Sequence, residues 1–341
     1  MVGLVKDELF LEHKPEAYHP ENPKRLEYIY KMLPEIDQDG IFYISARDAD
    51  PSEITYVHDP SYVNFVAATS GFWRRLDPDT YVSPRSYEVA LRAVGATISL
   101  IDAVMEGKIR CGFALIRPPG HHAEKKKAMG FCLFNNVAIA ARHLQRLYGL
   151  NRTAIIDFDL HHGNGTQNCF YRENSVLYIS THQYPYYPGT GWLDEIGEEE
   201  GRGYTVNVPL PYGMGDEDYV FVFRDLISPL LRQYKPEFIL VSAGFDAYHR
   251  DPLGGMSLTE DGYGALTRIL NDIARDVCKG RLVFVLEGGY DLQGLCSSVK
   301  RVIEELKISR PFGSDTELKP SKRVIEIVAE IKEKLSLYWR L

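Results

Sequence analysis

Cysteine is scarce in this 341-residue chain, and the five present (Cys111, Cys132, Cys169, Cys278, Cys296) are scattered without a CxxC pair. An odd, dispersed set argues against a disulfide framework and against a thiolate zinc site, and it fits a reducing cytoplasm. Positive charge is short as well. Only 39 Lys and Arg face 47 Asp and Glu, and no long basic block supplies the footprint that direct nucleic-acid binding requires. No run of eighteen apolar residues occurs, and the opening "MVGLVKDELFLEHKPEAY" has no apolar h-region, so neither a membrane span nor a signal peptide is predicted. Gly/Ser linkers and internal repeats are missing too, which favours one domain over 1–341.

What is there is a composition able to bury a large core, with 45% apolar residues. Short β-rich runs recur: "CGFALI" (111–116), "TAIIDF" (153–158), "VLYIS" (176–180), "FILVSA" (238–243) and "RLVFVLE" (281–287). They read as buried strands. Segments 83–107, 133–149, 216–234 and 259–280 carry helical periodicity, several with a capping residue before and Gly after. This alternation predicts an α/β fold, a mostly parallel central sheet with helices on both faces, whose ligands bind beyond the carboxyl ends of the strands. The tail, about 318–341, reads as a final packed helix.

The most polar short stretches sit where predicted strands finish: "ALIRPPGHHAE", "DFDLHHGNG", "SAGFDAYHRDP" and "LEGGYDL". In an extended chain the side-chain period of two turns Asp157, Asp159 and His161 to one side. Carboxylates buried together need a cation, and Asp with His suits zinc or ferrous iron. Asp246 in "SAGFD" is the best third ligand, since the small residues before it let backbone approach closely. Three protein ligands, Asp159, His161 and Asp246, leave a position for water, as a catalytic site requires. A salt-bridged strand terminus is the plain alternative; repetition at four strand ends argues against it.

"PPGHH" places His121 and His122 on a loop stiffened by Pro118 and Pro119, where paired imidazoles can take a proton from water and return one to a leaving group. Asp157 can orient one of them and Asn164 the other; the ring backed by the uncharged amide should be the less basic. Tyr290, after two glycines, can donate to a developing oxyanion.

With "HPENPKRL" (19–26) and "GFCLFNNVAIAARH", these motifs resemble the arginase/deacetylase superfamily, specifically class II-like histone deacetylases and acetylpolyamine amidohydrolases, over nearly the whole chain. The resemblance implies the arginase/deacetylase fold and zinc on Asp159, His161 and Asp246. It further implies His122 as general base, His121 as an electrostatic partner and Tyr290 as the residue completing the site. Asn164 is the class II-like form; class I relatives carry Asp there. A structural potassium ion on backbone carbonyls around Asp157, Asp159 and His161, with Ser180, is also implied. Gly130, Phe131, Tyr187, Leu253 and Gly289 fall at substrate-binding positions, Phe131 and Tyr187 lining a narrow tunnel. Leu253 stands where polyamine-selective relatives carry Glu and so leans toward an acyl-lysine protein or peptide as substrate. Bacterial polyamine deacetylases also draw acids from elsewhere, such as the loop near Glu21, so an acetylated polyamine stays open.

Other features read plainly. "EKKKA" (124–128) is expected as a solvated loop and 191–203 as an acidic exposed one. His13, His58, His143 and His249 are expected to be structural or on the surface, and His162 and His182 carry no ligand role. A catalytically silent acyl-lysine reader would not need Tyr290, His121 and His122 together. An arginase-like ureohydrolase would need more acids in its metal motifs. Self-association as a homo-oligomer is left open.

Overall fold

A run of Val, Ile and Phe buries both faces only when something packs on each side of it, and that requirement sets the architecture. The computed structural model describes residues 1–308 and 318–341. Its strands are β1 (Val2–Val5), β2 (Ile41–Tyr43), β3 (Arg74–Arg75), β4 (Tyr81–Val82), β5 (Cys111–Ala114), β6 (Thr153–Asp157), β7 (Val176–Gln183), β8 (Thr205–Leu210), β9 (Phe238–Ala243) and β10 (Leu282–Leu286). Eight form one sheet in the order β2-β1-β5-β10-β9-β6-β7-β8. Every pairing in it is parallel, while β3 and β4 make a separate antiparallel pair. All residues of β5, β6, β9 and β10 are buried, so both faces of the central sheet are covered by flanking helices.

All five expected strands are present. Three more strands of the large sheet, and the separate pair β3 and β4, lie outside the expected set. β1 and β2 are only four and three residues long, and β8 contains Pro209, which a strand tolerates at a sheet edge, where β8 lies. The expected helices form between clear signals. In Asn136–Tyr148 the Asn135 side chain accepts from the Ala138 N–H, and Gly149 stops the helix at φ 65°. The 216–234 stretch is not one regular helix: a π turn over Phe223–Ile227 separates Asp216–Val222 from Ser228–Tyr234. Pro229 has no N–H to continue the ladder, and Ser228 Oγ instead donates to the Phe223 carbonyl at 2.7 Å. The tail forms a helix, Lys322–Leu335, and Trp339 Nε1 beyond it donates to the Gly203 carbonyl at 2.7 Å.

The 191–203 segment is exposed at Glu198, Glu199 and Glu200, yet Glu195 turns inward. It accepts from the Gly191 and Trp192 N–H groups at 2.8 and 3.0 Å and from Gln167 Nε2 at 2.6 Å. Among the described residues no helix is long and apolar enough to cross a membrane, and all five cysteines are free.

The N-terminal segment is fastened by ions. Glu21, Arg25 and Arg117 are all 0% exposed. Arg117 Nη2 donates to Glu21 Oε2 at 2.7 Å and Arg25 Nη1 to Glu21 Oε1 at 3.2 Å. Burial would raise the Glu21 carboxyl, but Arg117 holds it well below the usual range. Glu21 is therefore no rim acid. Glu21→Gln leaves two buried guanidiniums undercompensated and is expected to lower unfolding free energy in urea at pH 7 by about 3–5 kcal/mol.

His58, 1% exposed, accepts from the Asn135 N–H at its Nε2 (2.9 Å) and meets the Glu124 carbonyl at its Nδ1 (3.0 Å). Burial lowers its pKa from 6.5 to about 4. Between those values the unfolded chain binds a proton that the folded chain refuses, so stability is lost as pH falls through the window, by about 3 kcal/mol. Urea midpoints measured from pH 7 down to 4.5 should fall less steeply for His58→Asn than for the unmodified protein.

Candidate active site

The strands β5, β10, β9 and β6 are consecutive neighbours, and the chain leaving each of their carboxyl ends carries one part of the site. Asp159 and His161 follow β6, Asp246 follows β9, His121 and His122 follow β5, and Tyr290 follows β10. The strand period does not arrange the first group. β6 ends at Asp157, and the next residues turn. The Asp159 N–H donates to Asp157 Oδ1 at 3.2 Å and the His161 N–H to Asp159 Oδ1 at 2.9 Å, so the acids fold the turn that presents them.

Among the described residues, Asp159, His161 and Asp246 offer donor atoms that all lie within 4.8 Å of one another. His161 Nδ1 is 2.9 Å from Asp246 Oδ2 and 3.2 Å from Asp159 Oδ1. Those separations approach the edge of roughly 3.3 Å of a tetrahedron with bonds of about 2.0 Å, so the set fits a zinc ion. Each acid is also held by backbone: Gly288 N–H donates to Asp159 Oδ2 and Leu160 N–H to Asp246 Oδ1, both at 2.9 Å. Burial opposes a charge on His161, but hydrogen bonds and charges of Asp159 and Asp246 push it up to about 10. The place favours a cation.

The tandem histidines stand with ring centroids 4.0 Å apart. His121 Nδ1 meets Asp157 Oδ2 at 3.0 Å, and His122 Nδ1 meets Asn164 Oδ1 at 2.8 Å. Asp157 therefore backs His121 rather than joining the ligand set. Burial works against a charge on either ring, yet Asp157 and Asp159 raise His121 to about 10. His122, beside His121 and His161, is lowered well below 6.5 by burial and their charges. The surroundings thus favour a charge on the His121 ring and a neutral His122 ring.

A cavity of about 220 Å³ opens over these groups, with Gly130, Phe131, Tyr187, Leu253 and Tyr290 in its wall. Phe131 meets Tyr290 edge to face at 5.8 Å, and Tyr187 meets His122 likewise at 5.2 Å. Gly130 has φ 56°, and a Cβ there would press on the His122 ring. Gly289 stands behind the wall: Gly288 lines the cavity, while the Gly289 carbonyl accepts from Arg25 Nε at 2.7 Å. Burial pushes the Tyr290 phenol well above 10, so it is a neutral donor.

The Histone deacetylase domain family model matches residues 19–306. This chain belongs to the histone deacetylase family. A probable deacetylase of Archaeoglobus fulgidus is 41% identical over 86% of this chain and 82% of that protein. Histone deacetylase 14, chloroplastic, of Arabidopsis thaliana is 40% identical over 94% of this chain and 82% of that one. The chain spans only 41% of histone deacetylase HDA1 of Candida albicans, at 39% identity. The crystal structure of the HDA15 HD domain superposes with a TM-score of 0.89 at 37% identity, covering 99% of this chain and 95% of that one.

In this histone deacetylase domain several residues that hold or line the site are hidden in the sequence because their partners are distant in the chain. Glu287, 0% exposed, accepts from the Gly120 and His121 N–H groups at 2.6 and 3.2 Å and so seats the histidine loop. Its position at the end of the last apolar run was the available signal. Asp251 accepts from the N–H groups of Tyr290, Asp291 and Leu253 at 2.6, 3.0 and 2.9 Å. Asp79, from the turn between β3 and β4, joins the cavity wall. Zinc affinity measured calorimetrically at pH 7.5 should weaken more than about a hundredfold in Asp246→Ala, exceeding the loss typical of a ligand's supporting partner.

Proposed function

We propose that this protein is a zinc-dependent amidohydrolase that removes acetyl groups from the ε-amine of acyl-lysine. The carrying observation is convergence: a cluster of three candidate metal donors, two of them in the wall, meets a histidine pair and a phenol at one cavity with aromatic walls. Asp159, His161 and Asp246 would hold a zinc ion, which when bound would supply Lewis acidity toward the substrate carbonyl and activate water. Ferrous iron suits the same donors.

The chain's own residues do the rest. His122, neutral and held by Asn164, takes the water proton and passes it to the departing amine. His121, charged beside Asp157, contributes a fixed positive potential to the tetrahedral oxygen. Tyr290 donates its hydroxyl proton in a hydrogen bond to that same oxygen. The C–N bond breaks, giving acetate and the free amine. Phe131 and Tyr187 enclose the apolar stem of the lysine and keep water away from it. A structural potassium ion at the carbonyls of Asp157, Asp159 and His161 near Ser180 belongs to the same reading. So does work in a reducing cytoplasm, in keeping with five free thiols.

Acetylpolyamine is the second reading, and Asp79 in the cavity wall favours it by attracting a cationic chain. Against it stand Leu253 in the wall and a fully buried Glu21. Side-by-side kinetics decide: kcat/KM for acetyl-lysine peptides should exceed that for acetylated putrescine or spermidine by about tenfold or more, one lost or gained charge contact being worth that much. A preference for the polyamines overturns the lysine assignment, and peptide binding with no acetate release overturns the enzyme. Tyr290→Phe should reduce kcat by about a hundredfold with little change in KM.

A further inference from the structure

The Asn164 side chain can face His122 with either its oxygen or its amino group, and its other neighbours decide which. Asn164 Nδ2 has Glu124 Oε1 at 2.6 Å, the His122 carbonyl at 3.4 Å and Met129 Sδ at 3.4 Å. All three accept hydrogen bonds and none can donate one to an amide oxygen. The same Glu124 oxygen takes Asn168 Nδ2 at 2.8 Å. Glu124 is itself fixed: its carbonyl meets His58 Nδ1 at 3.0 Å, and its N–H donates to the Lys127 carbonyl at 2.9 Å. The loop expected to be merely solvated thus sends one carboxylate inward while Lys125, Lys126 and Lys127 stay exposed.

We propose that Glu124 is the positioning residue that sets the tautomer of His122. By holding the Asn164 amino group it turns Asn164 Oδ1 to His122, which places the imidazole proton on Nδ1 and leaves Nε2 as the lone pair for proton transfer. The inference rests on His122 acting as the base, as described above. It gives the uncharged Asn a charged support one bond further out, so the relay is His122, Asn164, Glu124.

The logic makes a signed prediction. Glu124→Lys replaces an acceptor with a donor; the Asn164 amide then turns its oxygen to the ammonium and its amino group to His122, moving the proton to Nε2 and disabling the base. In zinc-loaded enzyme with an acetyl-lysine peptide, kcat should fall by about a hundredfold or more with KM changed by less than about threefold. Asn164→Asp alone, setting two carboxylates together, should also lower kcat. The double variant Glu124→Lys/Asn164→Asp should regain activity to within about tenfold of the unmodified enzyme, because the new carboxylate accepts from both the lysine and His122 Nδ1. A purely structural role gives losses that add, and additive losses overturn the proposal.

Nitrogen shifts of ¹⁵N-histidine-labelled, zinc-loaded protein read the tautomer directly, with His122→Asn identifying the signal. Glu124→Ala, which adds no donor, serves the same measurement if the lysine variant is unstable, and should show both tautomers. His122 protonated on Nδ1 alone in both variants overturns the proposal whatever the activity. A ring shifted to Nε2 with unchanged kcat upholds the positioning by Glu124 and overturns the assignment of His122 as base.

Discussion

Four carboxylates buried at the ends of three adjacent strands are the constraint around which the molecule is arranged. Asp157, Asp159, Asp246 and Glu287 are each no more than 1% exposed, at or just past the ends of β6, β9 and β10. Such a cluster is costly without compensation. Compensation comes from backbone N–H groups of Asp159, Leu160, Gly120, His121 and Gly288, from the charged His121 ring, and from a site suited to a divalent ion. Gly288 is required by this crowding: a Cβ there would sit 2.5 Å from Asp246 Oδ2 and 2.7 Å from Asp159 Oδ2.

A second charge balance holds the Tyr290 phenol. Arg25, paired with Glu21, donates to the Gly289 carbonyl and lies with its guanidinium 5.0 Å from the Tyr290 ring centroid. Asp251 takes the Tyr290 and Asp291 N–H groups from the other side. Tyr290 is thus fixed by groups from the N-terminal segment and from the loop after β9. The two balances meet at β10, whose end carries both Glu287 and the Gly288–Tyr290 turn. This explains why a motif of five residues, "EGGYD", touches the histidine loop, the candidate metal site and the phenol together.

Much of this was legible in the chain. Buried parallel strands show as unbroken apolar runs, so β5, β6, β7, β9 and β10 were found, whereas β1, β2 and β8 are too short or carry Pro209. The donors Asp159, His161 and Asp246 were legible because polar residues directly after such runs have few other reasons to be there, although the turn after Asp157, not a strand period, gathers them. Glu21, Glu124, Glu195 and Asp251 were not: an acid in a loop looks alike whether it faces water or a guanidinium, a side-chain amide or a backbone N–H that folding brings to it.

Local sequence determined the elements, the order of the strand-end motifs and the kind of chemistry they offer, because periodicity, capping and side-chain type act over a few residues. Only the tertiary structure decided which acid meets which partner. Asp157 goes to His121 across 36 residues and Asp251 to Tyr290 across 39, and these pairings follow from the strand order of the sheet, which brings distant carboxyl ends side by side. Charge state and tautomer follow from those meetings, since burial and neighbouring charges exist only once the chain has folded.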